Sequence, residues 1–96
     1  MLGEIAKKLK NEKGYEEIKY CQVVRGVPTN FISCEVKGLF FWKNILWIDL
    51  GEFEEDNFCF WTKDPQIDAI VREVATSYGI KCREVFRDHF PPVGSY

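Results

Sequence analysis

Residues 39–62 read LFFWKNILWIDLGEFEEDNFCFWT, and the way this stretch pairs with itself decides the fold. It holds eight of the fifteen aromatic residues, with branched aliphatics between them and short polar breaks, which is the chemistry of half-buried strands. A turn over the Glu-rich residues 53–56 places Leu50 opposite Cys59, Ile48 opposite Trp61 and Asp49 opposite Phe60. A tight turn at Lys43-Asn44 in the same register sets Phe41 beside Leu46 and Phe40 beside Trp47. Because side chains alternate along strands, one face then carries Leu39, Phe41, Leu46, Ile48, Leu50, Cys59 and Trp61. The opposite face carries Phe40, Trp42, Ile45, Trp47, Phe58 and Phe60. Lys-Asn lacks the Asn-Gly chemistry of the best two-residue hairpins, so the alternative is one long strand over 39–50.

Working outward, Leu2, Ile5, Ala6 and Leu9 recur at helical spacing, four lysines lie off that stripe, and Gly14 closes an amphipathic N-terminal helix. Residues 15–25 read as a strand with Ile18, Tyr20 and Val24 on one parity and Lys19, Cys21, Val23 and Arg25 on the other, broken by Gly26-Val27-Pro28. Phe31 to Lys37 is a second strand, with Ile32, Cys34 and Val36 towards a core and Phe31, Ser33, Glu35 and Lys37 away from it. Asp64-Pro65 is a helix start, with Asp as cap and Pro where its missing N–H costs nothing. The helix continues through Ile67, Ile70, Val71, Val74, Ala75 and Tyr78 and is closed by Gly79-Ile80. Ile80 to Arg87 reads as a last strand with Ile80, Cys82 and Phe86 on one side. The prolines at 91 and 92 make residues 89–96 an extended tail.

These elements predict one α+β domain over 1–88: an antiparallel sheet of about five strands with two helices on one face, followed by the tail 89–96. The 46% hydrophobic and 29% charged content is ordinary for a single globular domain. No apolar run approaches the roughly 20 residues of a membrane span, and the first helix is charged, so the expectation is a cytoplasmic protein with no membrane partner. The four cysteines are widely separated, without metal-site spacing, and read as buried thiols inside strands; a disulfide between neighbouring strands is the lesser option.

Catalytic chemistry is thinly supplied. His89 is the single histidine and falls in the tail, and Ser33, Ser77 and Ser95 lack a nucleophile elbow. Glu52, Glu54, Glu55 and Asp56 are the solvated charge expected of a turn, and no glycine-rich phosphate loop occurs. Glu35-Val36-Lys37 has the form that metal-dependent nucleases carry on a strand, but such sites need a further acid, usually upstream, and the first aspartate is Asp49. The sequence therefore gives no enzyme, no cofactor and no metal as its expectation.

The remaining signal is the outward aromatic face. A small chain with two helices is hard pressed to bury both sheet faces, so Phe31, Phe40, Trp42, Trp47, Phe58 and Phe60 are expected to meet a partner. Single-stranded DNA or RNA is one such partner, its bases stacking on the rings while Lys19, Arg25, Lys37 and Lys43 hold phosphates at the rim of a homo-oligomer. The alternative is a protein-interaction or self-assembly module whose aromatic face is the subunit interface. A formal net charge of −2 removes bulk attraction to polyanions, so nucleic-acid binding requires a local basic patch.

Overall fold

The computed structural model describes residues 1–22, 31–49 and 57–90. Helix α1 (Leu2–Lys13) is followed by strands β1 (Ile18–Gln22), β2 (Phe31–Lys37), β3 (Trp42–Asp49) and β4 (Asn57–Trp61), then α2 (Pro65–Ser77), β5 (Lys81–Arg83) and a short 3-10 turn (Arg87–His89). The five strands lie side by side in chain order. The first four form an antiparallel meander; β5 joins β4 in parallel after the α2 crossover. This is the α+β architecture read from the sequence.

Both helices cover one sheet face. Ile5 and Leu9 of α1 and Ile67, Ile70, Val71 and Val74 of α2 pack with Cys34, Leu46, Ile48, Phe58 and Phe60 in one buried cluster. Each such side chain contributes about 1.5–3 kcal/mol by transfer from water. Lys8 reaches Glu73 (2.8 Å) and Lys13 reaches Asp64 (2.8 Å), tying the helices together at their surfaces. Tyr20 OH donates to Leu2 O (2.7 Å) beneath α1, and burial pushes its phenol above the ordinary range. The start of α2 follows its chemistry: Asp64 accepts from the Gln66 N–H (2.9 Å) and Pro65 stands at the first helical position. Its end is a Schellman closure, with Ile80 N–H donating to Ala75 O and Gly79 N–H to Thr76 O (both 2.9 Å) and Gly79 at φ 71°.

The pairing of 39–62 differs from expectation in two places. Chain reversal does not occur at Lys43-Asn44: β3 is continuous from Trp42, and Leu39–Phe41 form the turn. Gly38 makes that turn feasible. Its N–H donates to Phe41 O at 2.8 Å, and a Cβ on Gly38 would lie 2.8 Å from the same oxygen. On the far side, β3 and β4 are one residue out of the expected register, with Ile48 opposite Phe60, Asp49 opposite Cys59 and Trp47 opposite Trp61. The slip moves Phe58 and Phe60 from the outward face into the cluster under the helices. Burying two phenylalanines there leaves Trp61, with its polar nitrogen, on the other side. The Glu-rich turn and Leu50 lie outside the described residues.

The last strand is also shorter than expected. β5 ends at Arg83, so Phe86 does not join Ile80 and Cys82 on the core side and is exposed. The chain then folds back over the helix-free face of the sheet, where Phe90 stacks on Trp47 (ring centroids 5.9 Å apart). His89 and Phe90 are therefore docked residues, not part of a tail. Residues 91–96 lie outside the described set.

Candidate nucleic-acid interface

The helix-free face divides into a closed part and an open part. In the closed part Trp47 and Phe90 are buried with Phe31, Trp61 and Val85 packed around them. His89 Nε2 donates to Asp49 Oδ2 (2.7 Å), and the Phe31 ring meets His89 and Phe90 edge-on at 5.7 and 5.3 Å. Arg87 donates to Phe90 O (3.0 Å) and lies over the Trp47 and Trp61 rings at 5.4 and 5.6 Å. The chain thus covers with its own residues the centre of the surface for which a partner was expected.

Beside it lies a buried polar network. Ser33 Oγ donates to Glu35 Oε2 (3.1 Å), and Asn44 donates to Ser33 Oγ (2.8 Å) and to Leu46 O (3.1 Å). Cys21 points its thiol at Glu35 Oε1 (3.8 Å). Burial first, then the neighbouring Glu35 charge, pushes the Cys34 thiol up to about 12. Neither Ser33 nor Cys34 has solvent access. Glu35 pairs across the sheet with Asn44 and Asp49 pairs with Phe31, four β2 positions away, or roughly 13 Å along the strand. The two acids do not share a metal. Among the described residues no three or more His, Cys, Asp or Glu side chains come together as they would around a metal ion.

The open part is the end of the sheet where β2 turns into β3. Leu39, Phe40 and Phe41 project from the turn at 90%, 82% and 80% exposure, with the two phenylalanine rings edge to face at 6.4 Å. Trp42 follows at the start of β3, opposite Lys37, and the Lys19 ammonium sits 4.1 Å above its ring. Lys19 also lies 3.9 Å from Glu35, and Lys37 lies 3.7 Å from Glu17 in a pair more than half exposed on both sides. Exposed pairs of this kind hold their partners weakly. Among the described residues Lys43, Lys63 and Arg87 have no carboxylate partner.

A bulge shapes the ground next to this turn. Ile45 is the extra residue on β3 between the Cys34–Leu46 and Glu35–Asn44 pairs, and Thr62 Oγ1 donates to its carbonyl (2.7 Å). The bulge and the β4–α2 connection enclose a cavity of about 220 Å³, walled by Tyr15, Ile45, Trp61 and Ile67, with Lys43 and Lys63 at its mouth.

Of the residues singled out from the sequence, Lys19, Lys37, Phe40, Trp42 and Lys43 gather at this end. Phe31 and Trp47 lie on the predicted face but beneath the chain's last described residues. Phe58 and Phe60 belong to the core, and Arg25 lies outside the described residues. Sequence reasoning missed Phe41 by placing it on the core face. It missed Tyr15, Trp61, Lys63 and Arg87 because they come from a loop, a strand end, a helix approach and the C-terminal return. No helix among the described residues is long and apolar enough to cross a membrane. No family model, curated protein or solved structure matches the chain.

Proposed function

We propose that this protein binds single-stranded DNA or RNA at the β2–β3 end of its sheet. The observation that carries the reading is the coincidence, at one end, of Phe40, Phe41 and Trp42 in the open with Lys43, Lys63 and Arg87 lacking acid partners among the described residues. Exposed rings offer faces for unpaired bases, and lysines beside them offer charge to the phosphates between those bases. The net charge of −2 makes the local concentration of cations more telling, since the chain as a whole does not attract polyanions.

The test is fluorescence anisotropy of labelled thirty-base DNA and RNA strands over a salt series. Affinity falls as salt rises, and single strands are preferred to duplex, whose paired bases withhold their faces. Phe40→Ala or Trp42→Ala weakens binding with little change in salt slope, whereas Lys43→Ala flattens that slope by about one unit or less. Absence of binding by folded protein at low salt removes the proposal.

A second reading rests on Leu39, an aliphatic side chain with no ring for a base, standing at the head of the exposed turn. On that reading the turn is a contact between copies of the chain or with another protein. It predicts an assembly that Phe41→Glu dissociates without melting the subunits.

A further inference from the structure

We infer that the cavity between the β3 bulge and the start of α2 accepts one nucleotide of the bound strand, its base against the Tyr15 and Trp61 rings and its phosphate at Lys43 and Lys63. This rests on the nucleic-acid reading and names a subsite for it. Size selects the occupant first. Pockets for whole drug-sized ligands run from roughly 300 to 1,000 Å³, so a space of about 220 Å³ takes one flat ring system and not two stacked nucleotides.

Charge selects it next. An apolar ring alone, such as a phenylalanine from a second copy, satisfies the walls but leaves the cations at the mouth without a counterpart. A nucleotide supplies both parts. The one carboxylate at the cavity among the described residues, Asp64, does not oppose a phosphate. It is engaged by Lys13 Nζ (2.8 Å) and the Gln66 N–H (2.9 Å), and the Lys13 hydrogen bond, chiefly, holds its carboxyl below the ordinary carboxylate range.

The site is also built before any ligand arrives. Thr62 fixes the bulged Ile45 carbonyl and accepts from the Asp64 N–H (3.3 Å), so strand, bulge and helix cap are joined through one hydroxyl. Ile67 is part of the helix core, and the Arg87 guanidinium already rests 5.6 Å from the Trp61 ring. Lys43 belongs both to the cavity mouth and to the flank of the exposed turn, which makes the two surfaces one path for a strand.

Two measurements on the full chain test the inference. Amide NMR shifts are followed during titration with adenosine monophosphate, adenosine and inorganic phosphate, and thirty-base strand affinity is measured for Tyr15→Ala and Lys63→Glu, with melting curves as controls. Adenosine monophosphate is expected to move the amides of residues 43–45 and 61–64, more than adenosine or phosphate does. Tyr15→Ala is expected to weaken strand binding about tenfold at unchanged salt slope, and Lys63→Glu to weaken it while flattening the slope by about one. Should Tyr15→Ala fail to fold, the exposed Lys63→Glu and the titration decide.

If folded variants bind strands as the parent does while Phe40→Ala does not, the subsite falls and the broader reading stands. If strands fail to bind but adenosine monophosphate still moves these amides, the strand reading falls and the cavity remains a mononucleotide site. Equal shifts from phosphate alone sink the base-binding part. Shifts of the same amides on simple dilution assign the cavity to a second copy and overturn the inference.

Discussion

Two phenylalanines, one in the β2–β3 turn and one on β4, carry opposite consequences. Phe58 is buried under α2, and Phe40 projects into solvent. Phe58→Ala is expected to cost about 3–5 kcal/mol of unfolding free energy, in line with other large-to-small core changes. Phe40→Ala is expected to stay within about 0.5 kcal/mol of the parent and to change only binding. Urea denaturation of both variants checks the pair. Comparable losses would mean that the turn is packed in solution and that the strand register is wrong. Ile70 stands with Phe58: it is buried in the same cluster, and Ile70→Asp places a charge there without a partner, so that variant should not fold. A normal melting curve for it would contradict the position of α2.

At the scale of elements, α2 is fixed by its cap and the helix-free face by the returning chain. Asp64 accepts from the Gln66 N–H and from Lys13, and its carboxyl is depressed first by the Lys13 hydrogen bond and then by the Gln66 backbone hydrogen bond. A depressed carboxyl stabilises the fold fully above its unfolded value and loses that contribution as pH falls through the folded one. Asp64→Ala should therefore melt earlier than the parent at pH 7, and the gap should close as pH drops below about 4. A gap unchanged at pH 2 would assign the loss to something other than the ionised cap. The returning segment is held by the Phe90–Trp47 stack and the His89–Asp49 contact. Phe90→Ala uncovers Trp47, the one fully buried tryptophan, and should shift tryptophan emission to longer wavelength. An unchanged spectrum would mean that residues 85–90 do not rest on the sheet in solution.

For the whole molecule, the question is whether a second chain is needed. The sequence points to an oligomer because one small chain is hard pressed to cover so broad an aromatic face. Phe58 and Phe60 have moved to the core and Phe90 covers Trp47. What stays open at the turn is Leu39, Phe40 and Phe41, a few hundred Å² against the roughly 800 Å² per partner of a stable interface. Light scattering at micromolar concentration should accordingly give a species near the 11.3 kDa of one chain, with larger masses only when a strand is added. A dimer that survives dilution without nucleic acid would favour the assembly reading.

The local patterns in the sequence determined the two helices, the Asp64-Pro65 start, the Gly79 closure, strand β2 to the residue and the class of the fold. They did so because periodicity, caps and turn residues act between neighbours along the chain. Register is a different kind of quantity. Opposing Ile48 to Phe60 or to Trp61 changes no local preference, yet it exchanges the two faces of β4, and only the total burial under both helices decides between them. The same holds for the closed face. Nothing near residues 85–90 states that Arg87, His89 and Phe90 settle on Trp47 and Asp49, because that contact joins residues about forty positions apart. The cavity at Ile45 is later still in the chain of causes: it exists where a bulge, a strand end and a helix cap meet, and each of its walls looks in the sequence like an ordinary residue of its own element.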